Sequence, residues 1–224
     1  MNFLECIYVV SLCVAMLAGI LVLQQKRVAK QLQAIIILVI YATIIEVSVI
    51  YFREHVSVRY EGVNNVLPQY NIFTMAEFLF YAYFFRQAIR SRRMKVVINL
   101  FLYSFPAFWY FSVFGLFTIL EWNSYVFLTG GVFTIFGCLL YFRQLLDTEV
   151  FIPVKQNSEF WIVSGLAAFY ITVVPFMGMY HFLSKHIVWL AVGLKPMLQI
   201  SNIIMYTLFA YAFLCRLKTT NTRK

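Results

Sequence analysis

Charged residues are scarce in this sequence. Asp, Glu, Lys and Arg make up 12% of the 224 residues, whereas 62% are hydrophobic. A soluble domain has roughly 25% charged and 45–50% apolar residues, so the composition excludes one. Because no polar stretch exceeds about 15 residues, there is no room for a separate domain beside the membrane part. We therefore expect a single integral-membrane domain over residues 1–224.

Sequence motifs of common enzyme and metal chemistry are also missing. The four cysteines form no CxxC pair, Asp147 is the only aspartate, and neither a GxSxG nor a P-loop motif is present. The three histidines, His55, His181 and His186, fall near one predicted membrane face without an HExxH motif, which is more typical of interfacial residues than of a zinc site. The sequence predicts no catalytic residue, no metal and no cofactor, and it gives no positive sign of an enzyme.

Long apolar runs dominate the chain instead. They extend over about residues 3–25, 34–52, 66–85, 96–117, 125–146, 160–182 and 188–214. About 20 apolar residues in a helix cross a hydrocarbon core of ~30 Å. The predicted fold is an all-α membrane protein, a bundle of seven transmembrane helices.

The basic residues are distributed unequally between the two ends of this predicted bundle. Of 18 Lys and Arg residues, 14 adjoin one face, five of them between Arg86 and Lys95, and four adjoin the other. Because Lys and Arg accumulate in cytoplasmic loops, the C-terminus is predicted in the cytoplasm and the N-terminus outside. Lys and Arg residues that set the orientation in the membrane account for the net charge of +9. The predicted partner is therefore the lipid bilayer and not nucleic acid.

The third run contains an acidic residue, Glu77, whose exposure to lipid would cost several kcal/mol. Tyr70, Thr74, Glu77 and Tyr81 are spaced i, i+4, i+7 and i+11, so they form one stripe along a helix. Glu77 is expected ~16 Å below the outer end of the helix, near the middle of the membrane. It must then be protonated or held by hydrogen-bond donors, of which Thr74 is one candidate.

The seventh run carries a polar stripe of the same pitch, formed by Lys195, Gln199, Asn202 and Tyr206. In lipid such groups turn towards the bundle interior and satisfy one another. The depth of Asn202 and Tyr206 makes both of them candidate donors to Glu77.

A second buried acid, Glu46, lies in the second run. Glu46 and Lys195 are each expected ~9–10 Å below the outer surface, so the two can pair. The alternative is that Pro196 is the first residue of its helix, which would leave Lys195 at the membrane interface.

Two interpretations of these polar residues stay open. They either line a pocket that opens to the outer side, or they form structural hydrogen bonds that hold the helices together. The residues that would bind a ligand in such a pocket are Glu77, Asn202, Tyr206, Thr74, Glu46, Lys195, Gln199 and Tyr70.

Three sequence elements carry a resemblance. WNSY at 122–125 leads into a helix that ends in YFRQLL, and PVKQNSEFWIVSGLAAFY follows at 153–170. Together with Glu46 and Glu77, they resemble a group of small seven-helix inner-membrane proteins of Bacteroidota over most of the chain. The resemblance implies this architecture and a bacterial inner membrane, and it carries over no catalytic residue.

The sequence favours a sensor or receptor-like module with a polar intramembrane pocket, acting through a membrane or cytoplasmic protein partner. A candidate outer pocket and a basic cytoplasmic face are present, whereas an output domain is absent. A small permease is the alternative, which a convincing internal repeat would favour. A membrane-embedded lipid enzyme and a retinal protein rank last, because catalytic pairs are missing and Lys195 is shallow. The ligand would be a small molecule or an ion.

The charge distribution generates a first prediction. Alkaline phosphatase fused after residue 224 should be inactive in a bacterial host, whereas a fusion within residues 53–65 should be active, because the enzyme works only outside the cytoplasm. Expression of each fusion, measured by immunoblot, is the control. Activity of the C-terminal fusion would overturn the orientation or the number of membrane crossings.

Overall fold

A computed structural model of the protein describes residues 3–25, 28–52, 66–116, 119–120, 122–147, 156–186 and 188–221, without the side chains at 178–186, 188–192, 194–195 and 219–221. The described chain is 92% helical and contains no strand. It has the seven predicted helices: α1 (Phe3–Leu23), α2 (Lys30–Tyr51), α3 (Leu67–Ala88), α4 (Arg92–Phe111), α5 (Ser124–Leu146), α6 (Ser158–His186) and α7 (Val188–Asn221). A turn of π-helix, Ser112–Leu116, continues α4.

Six of these helices form a closed ring. Neighbouring helices pack in the order α1, α2, α3, α5, α6 and α7, and α7 packs against α1 again. Helix α4 packs against α3 from outside the ring. Aromatic contacts hold α4 in this position. Phe101 of α4 stacks on Phe133 of α5 with ring centroids 3.6 Å apart, and Phe105 of α4 packs edge-on against Phe78 of α3 with centroids 5.7 Å apart.

Within the described part of the chain, six helical spans are long and apolar enough to cross a membrane. They are Phe3–Leu23, Lys30–Tyr51, Arg92–Leu116, Ser124–Leu146, Ser158–Met177 and Pro196–Lys218. Helix α1 shows the expected lipid-facing surface, because Val10, Val14, Leu17 and Leu21 form one stripe and are each about half exposed. These features support a multi-pass protein in contact with a bilayer.

Helix α3 differs from the other six. Its 22 residues cover ~33 Å, enough for a crossing, but it is not among the spans that are apolar enough by composition. Helix α3 can carry this less apolar composition because it lies between α2, α4 and α5. Only Ile72 and Arg86 of α3 are exposed, whereas Asn71, Thr74 and Glu77 are buried. A helix that its neighbours shield from lipid tolerates polar residues.

Three aromatic side chains, Phe78 and Tyr81 of α3 with Tyr170 of α6, pack together in the middle of the ring, and we call them the aromatic layer. Their ring centroids lie 5.6–6.4 Å apart and each residue is at most 2% exposed. Gly130 of α5 makes room for this layer, because a Cβ atom there would collide with the ring of Phe78.

Candidate functional site

A cavity of about 320 Å³ lies inside the ring, towards the end at which α1 and α3 begin and α2 ends. All six helices of the ring contribute to it, and its size falls within the range of small-molecule sites. The carboxyl groups of its lining belong to Glu5, Glu46 and Glu77. Its aromatic lining residues are Tyr8, Tyr70, Phe73, Trp122, Phe127, Phe169 and Tyr206.

Glu77 lies at the inner end of the cavity, next to the aromatic layer. Its side chain is 8% exposed. The hydroxyl groups of Tyr81, one turn further along α3, and of Tyr170 on α6 both donate to its Oε1 atom at 3.0 Å. The other oxygen, Oε2, accepts no hydrogen bond from a described residue, and no cation within the described chain forms an ion pair with Glu77.

Glu46 lies at a different depth and joins other helices. Its Oε1 atom accepts a hydrogen bond from the Tyr8 hydroxyl of α1 at 2.8 Å, and the Tyr70 hydroxyl of α3 lies 3.4 Å from each carboxylate oxygen. Tyr70 precedes Glu77 by seven residues, or ~10 Å along the helix. The cavity therefore has two carboxyl groups at separate levels, each held by two tyrosines.

The structure brings most of the predicted ligand-binding residues to this one cavity. Those that line it are Glu77, Asn202, Tyr206, Thr74, Glu46, Gln199 and Tyr70. Lys195 belongs to α7, but its side chain lies outside the described residues, so its pairing with Glu46 stays a prediction. The side chains of His55, His181 and His186 also lie outside them. Among the described residues, no group of three His, Cys, Asp or Glu could hold a metal ion.

The donors to Glu77 are not those that the sequence suggested. The hydroxyl of Thr74 donates to the backbone carbonyl of Tyr70 at 2.8 Å, one turn earlier in the helix. Asn202 and Tyr206 line the cavity wall without a hydrogen bond to Glu77 among the described contacts.

Sequence reasoning missed Tyr8, Trp122 and Tyr170 as parts of the site. Each is an aromatic residue in or beside an apolar run, a pattern shared with membrane-interface anchors and core residues. Tyr170 donates to Glu77 across 93 positions of the chain. A single sequence contains no signal for such a long-range contact.

A second, smaller cavity of about 240 Å³ lies at the opposite end of the ring, where α2 begins and α3 ends. Its polar residues are bonded to one another: Gln31 donates to Glu159 at 2.7 Å, and Asn157 donates to the Tyr141 hydroxyl at 3.2 Å. Gln144 accepts from the backbone N–H of Arg90 at 2.6 Å. These bonds tie α2 to α6, α5 to the loop before α6, and α5 to the end of α3.

The apolar helices, the closed ring and the internal cavity are the features of a polytopic α-helical membrane protein. Comparisons of the chain with family models, with curated proteins and with solved structures find no match. The chemistry of the cavity is therefore the basis for a functional assignment.

The tyrosine pair at Glu77 generates a second prediction. Tyr170→Phe should lower the free energy of unfolding by ~1–3 kcal/mol, because it removes the hydrogen bond between α6 and a buried carboxyl group. Thermal unfolding in detergent, followed by circular dichroism, measures the change. Tyr103→Phe is the matched control and should be neutral, since Tyr103 is 84% exposed on α4. Equal stability of the parent and Tyr170→Phe would contradict the assigned role of this bond.

Proposed function

We propose that this protein is a receptor-like module of a bacterial inner membrane that binds a small molecule or ion and acts through a partner protein. In this proposal the N-terminus is outside and the cavity opens to the outer side. The observation that carries it is the larger of the two cavities. It has a volume of about 320 Å³ and is lined by two tyrosine-bound carboxyl groups, and the buried aromatic layer adjoins its inner end at Glu77.

A ligand in this cavity is well placed to change the packing of the ring. It would contact residues of all six helices, and at Glu77 it would meet the group that joins α3 to α6 through Tyr170. A ligand shifts a conformational equilibrium by the difference in its affinity for the two states. Two arrangements of the α3–α6 contact with unequal ligand affinity would be sufficient.

The opposite end of α3 provides a surface for the output. Arg86 and Arg90 at the end of α3, and Arg92 and Arg93 at the start of α4, are all exposed. In the proposed orientation they face the cytoplasm, where they would meet lipid phosphates or an acidic surface of a partner protein. Helix α3 would thus link the ligand cavity to the partner surface directly.

A small permease is the second candidate, and the second cavity favours it. Cavities lie at both ends of the ring, with the aromatic layer between them. Transport would require this layer to open, whereas a receptor works with the layer closed. We rank the receptor first because the layer is fully packed and the sequence shows no convincing internal repeat.

A ligand screen tests the proposal. The full chain, purified in detergent, is screened by thermal shift against cationic, neutral and anionic solutes. A ligand of the cavity should raise the unfolding temperature by roughly 5–10 °C at a hundredfold excess over its Kd. The rise should be lost in Glu77→Gln and kept in Glu159→Gln, the same substitution at the opposite end of the ring.

Two results would count against the proposed function. A screen in which no solute stabilises the parent, or in which Glu77→Gln responds as the parent does, would leave Glu77 as a packing residue. Accumulation of the stabilising solute inside proteoliposomes, dependent on Glu77, would replace the receptor by the permease.

A further inference from the structure

The free carboxylate oxygen of Glu77 indicates the chemistry of the ligand. Both tyrosine hydroxyl groups donate to Oε1, so Oε2 has no donor among the described residues although the side chain is more than nine-tenths buried and lines the cavity. Unless it is protonated, a buried carboxylate needs further donors or a counter-charge. The described residues of the lining supply no cation, so a donor to Oε2 would come from a molecule in the cavity, either water or a ligand.

The cavity wall near Glu77 is aromatic. Trp122 lies 5.8 Å from Phe127, and Phe127 lies 6.0 Å from Tyr170, which is bonded to Glu77. Phe169 and Tyr206 also line the cavity. Aromatic faces attract organic cations within about 6 Å of the ring centroid, and they bury the apolar part of such a molecule.

The charge of the lining has one sign among the described residues. Three glutamates and no lysine or arginine contribute to it. The Glu77 carboxylate at the inner end of the cavity disfavours an anion there. The seven aromatic residues of the lining favour an organic cation over a bare alkali ion.

We propose that the ligand of this cavity is a small organic amine in its ammonium form, with an N–H group donating to Glu77 Oε2 and an apolar body packed against the aromatic wall. This inference rests on the proposed function, because it names the ligand class of the same cavity. A volume of about 320 Å³ accommodates a compact amine together with water.

Matched probes separate charge from shape. Benzylamine and phenethylamine, both ammonium ions at neutral pH, are compared with the neutral isosteres benzyl alcohol and phenethyl alcohol and with the anion benzoate. Binding to the full chain in detergent is measured by isothermal titration calorimetry. We expect the amines to bind at least tenfold more tightly than the alcohols, and benzoate not to bind.

Substitutions locate the preference within the cavity. Glu77→Gln should weaken amine binding by roughly 10- to 100-fold, the range of a charge-assisted hydrogen bond, and should remove the preference for amine over alcohol. Glu159→Gln should bind as the parent does. If Glu77→Gln fails to fold, Trp122→Leu provides the test, since loss of an aromatic face should weaken amines more than alcohols.

The outcomes distinguish this inference from the proposed function. Equal or tighter binding of alcohols or benzoate would overturn the amine assignment and leave a ligand-binding receptor intact. Binding of neither amine would overturn it as well. If, in addition, no solute of any charge stabilises the protein in the wider screen, the proposed function fails too.

Discussion

The structure depends on one constraint, which is that a buried carboxyl group needs hydrogen-bond donors or a counter-charge unless it is protonated. Glu77 obtains two donors from Tyr81 and Tyr170. These tyrosines are held in turn by Phe78, for which Gly130 of α5 leaves space. The same constraint explains why α3 lies between α2, α4 and α5, since any more exposed position would bring its buried polar residues into contact with lipid.

The sequence predicts the helices and their inward-facing polar residues, but not the side chains that those polar residues contact. The apolar runs predict seven helices, and the i, i+4, i+7 spacing on α3 and α7 indicates which polar residues face inwards, because both depend on local periodicity. The order of helices around the ring is not local. Periodicity cannot place α4 outside the ring, nor can it show that Tyr8 and Tyr170 bind Glu46 and Glu77. Helix α3 is not among the spans apolar enough to cross a membrane, and only the tertiary structure shows that its neighbours shield its polar residues.

The two interpretations of the polar residues prove compatible with one set of contacts. Glu46 joins α1, α2 and α3, and Glu77 joins α3 to α6, so both carboxyl groups hold helices together. Both also line the cavity. Glu77 can therefore couple ligand binding to helix packing, because a change at its Oε2 atom alters the tyrosine bonds to its Oε1 atom. In the proposed receptor, this double role of Glu77 would transmit ligand binding to the contact between α3 and α6.

A receptor of this kind needs a larger cavity that is accessible from one side of the membrane only, and thiol accessibility measures this most directly. Asn202→Cys in the cavity and Gln87→Cys in the smaller cavity are introduced separately after Cys6, Cys13, Cys138 and Cys215 are replaced by alanine. A membrane-impermeant thiol reagent should label Asn202→Cys in spheroplasts, and Gln87→Cys in inside-out vesicles alone. Labelling of Asn202→Cys from the cytoplasmic side, or from both sides, would contradict an outward-facing cavity closed by the aromatic layer.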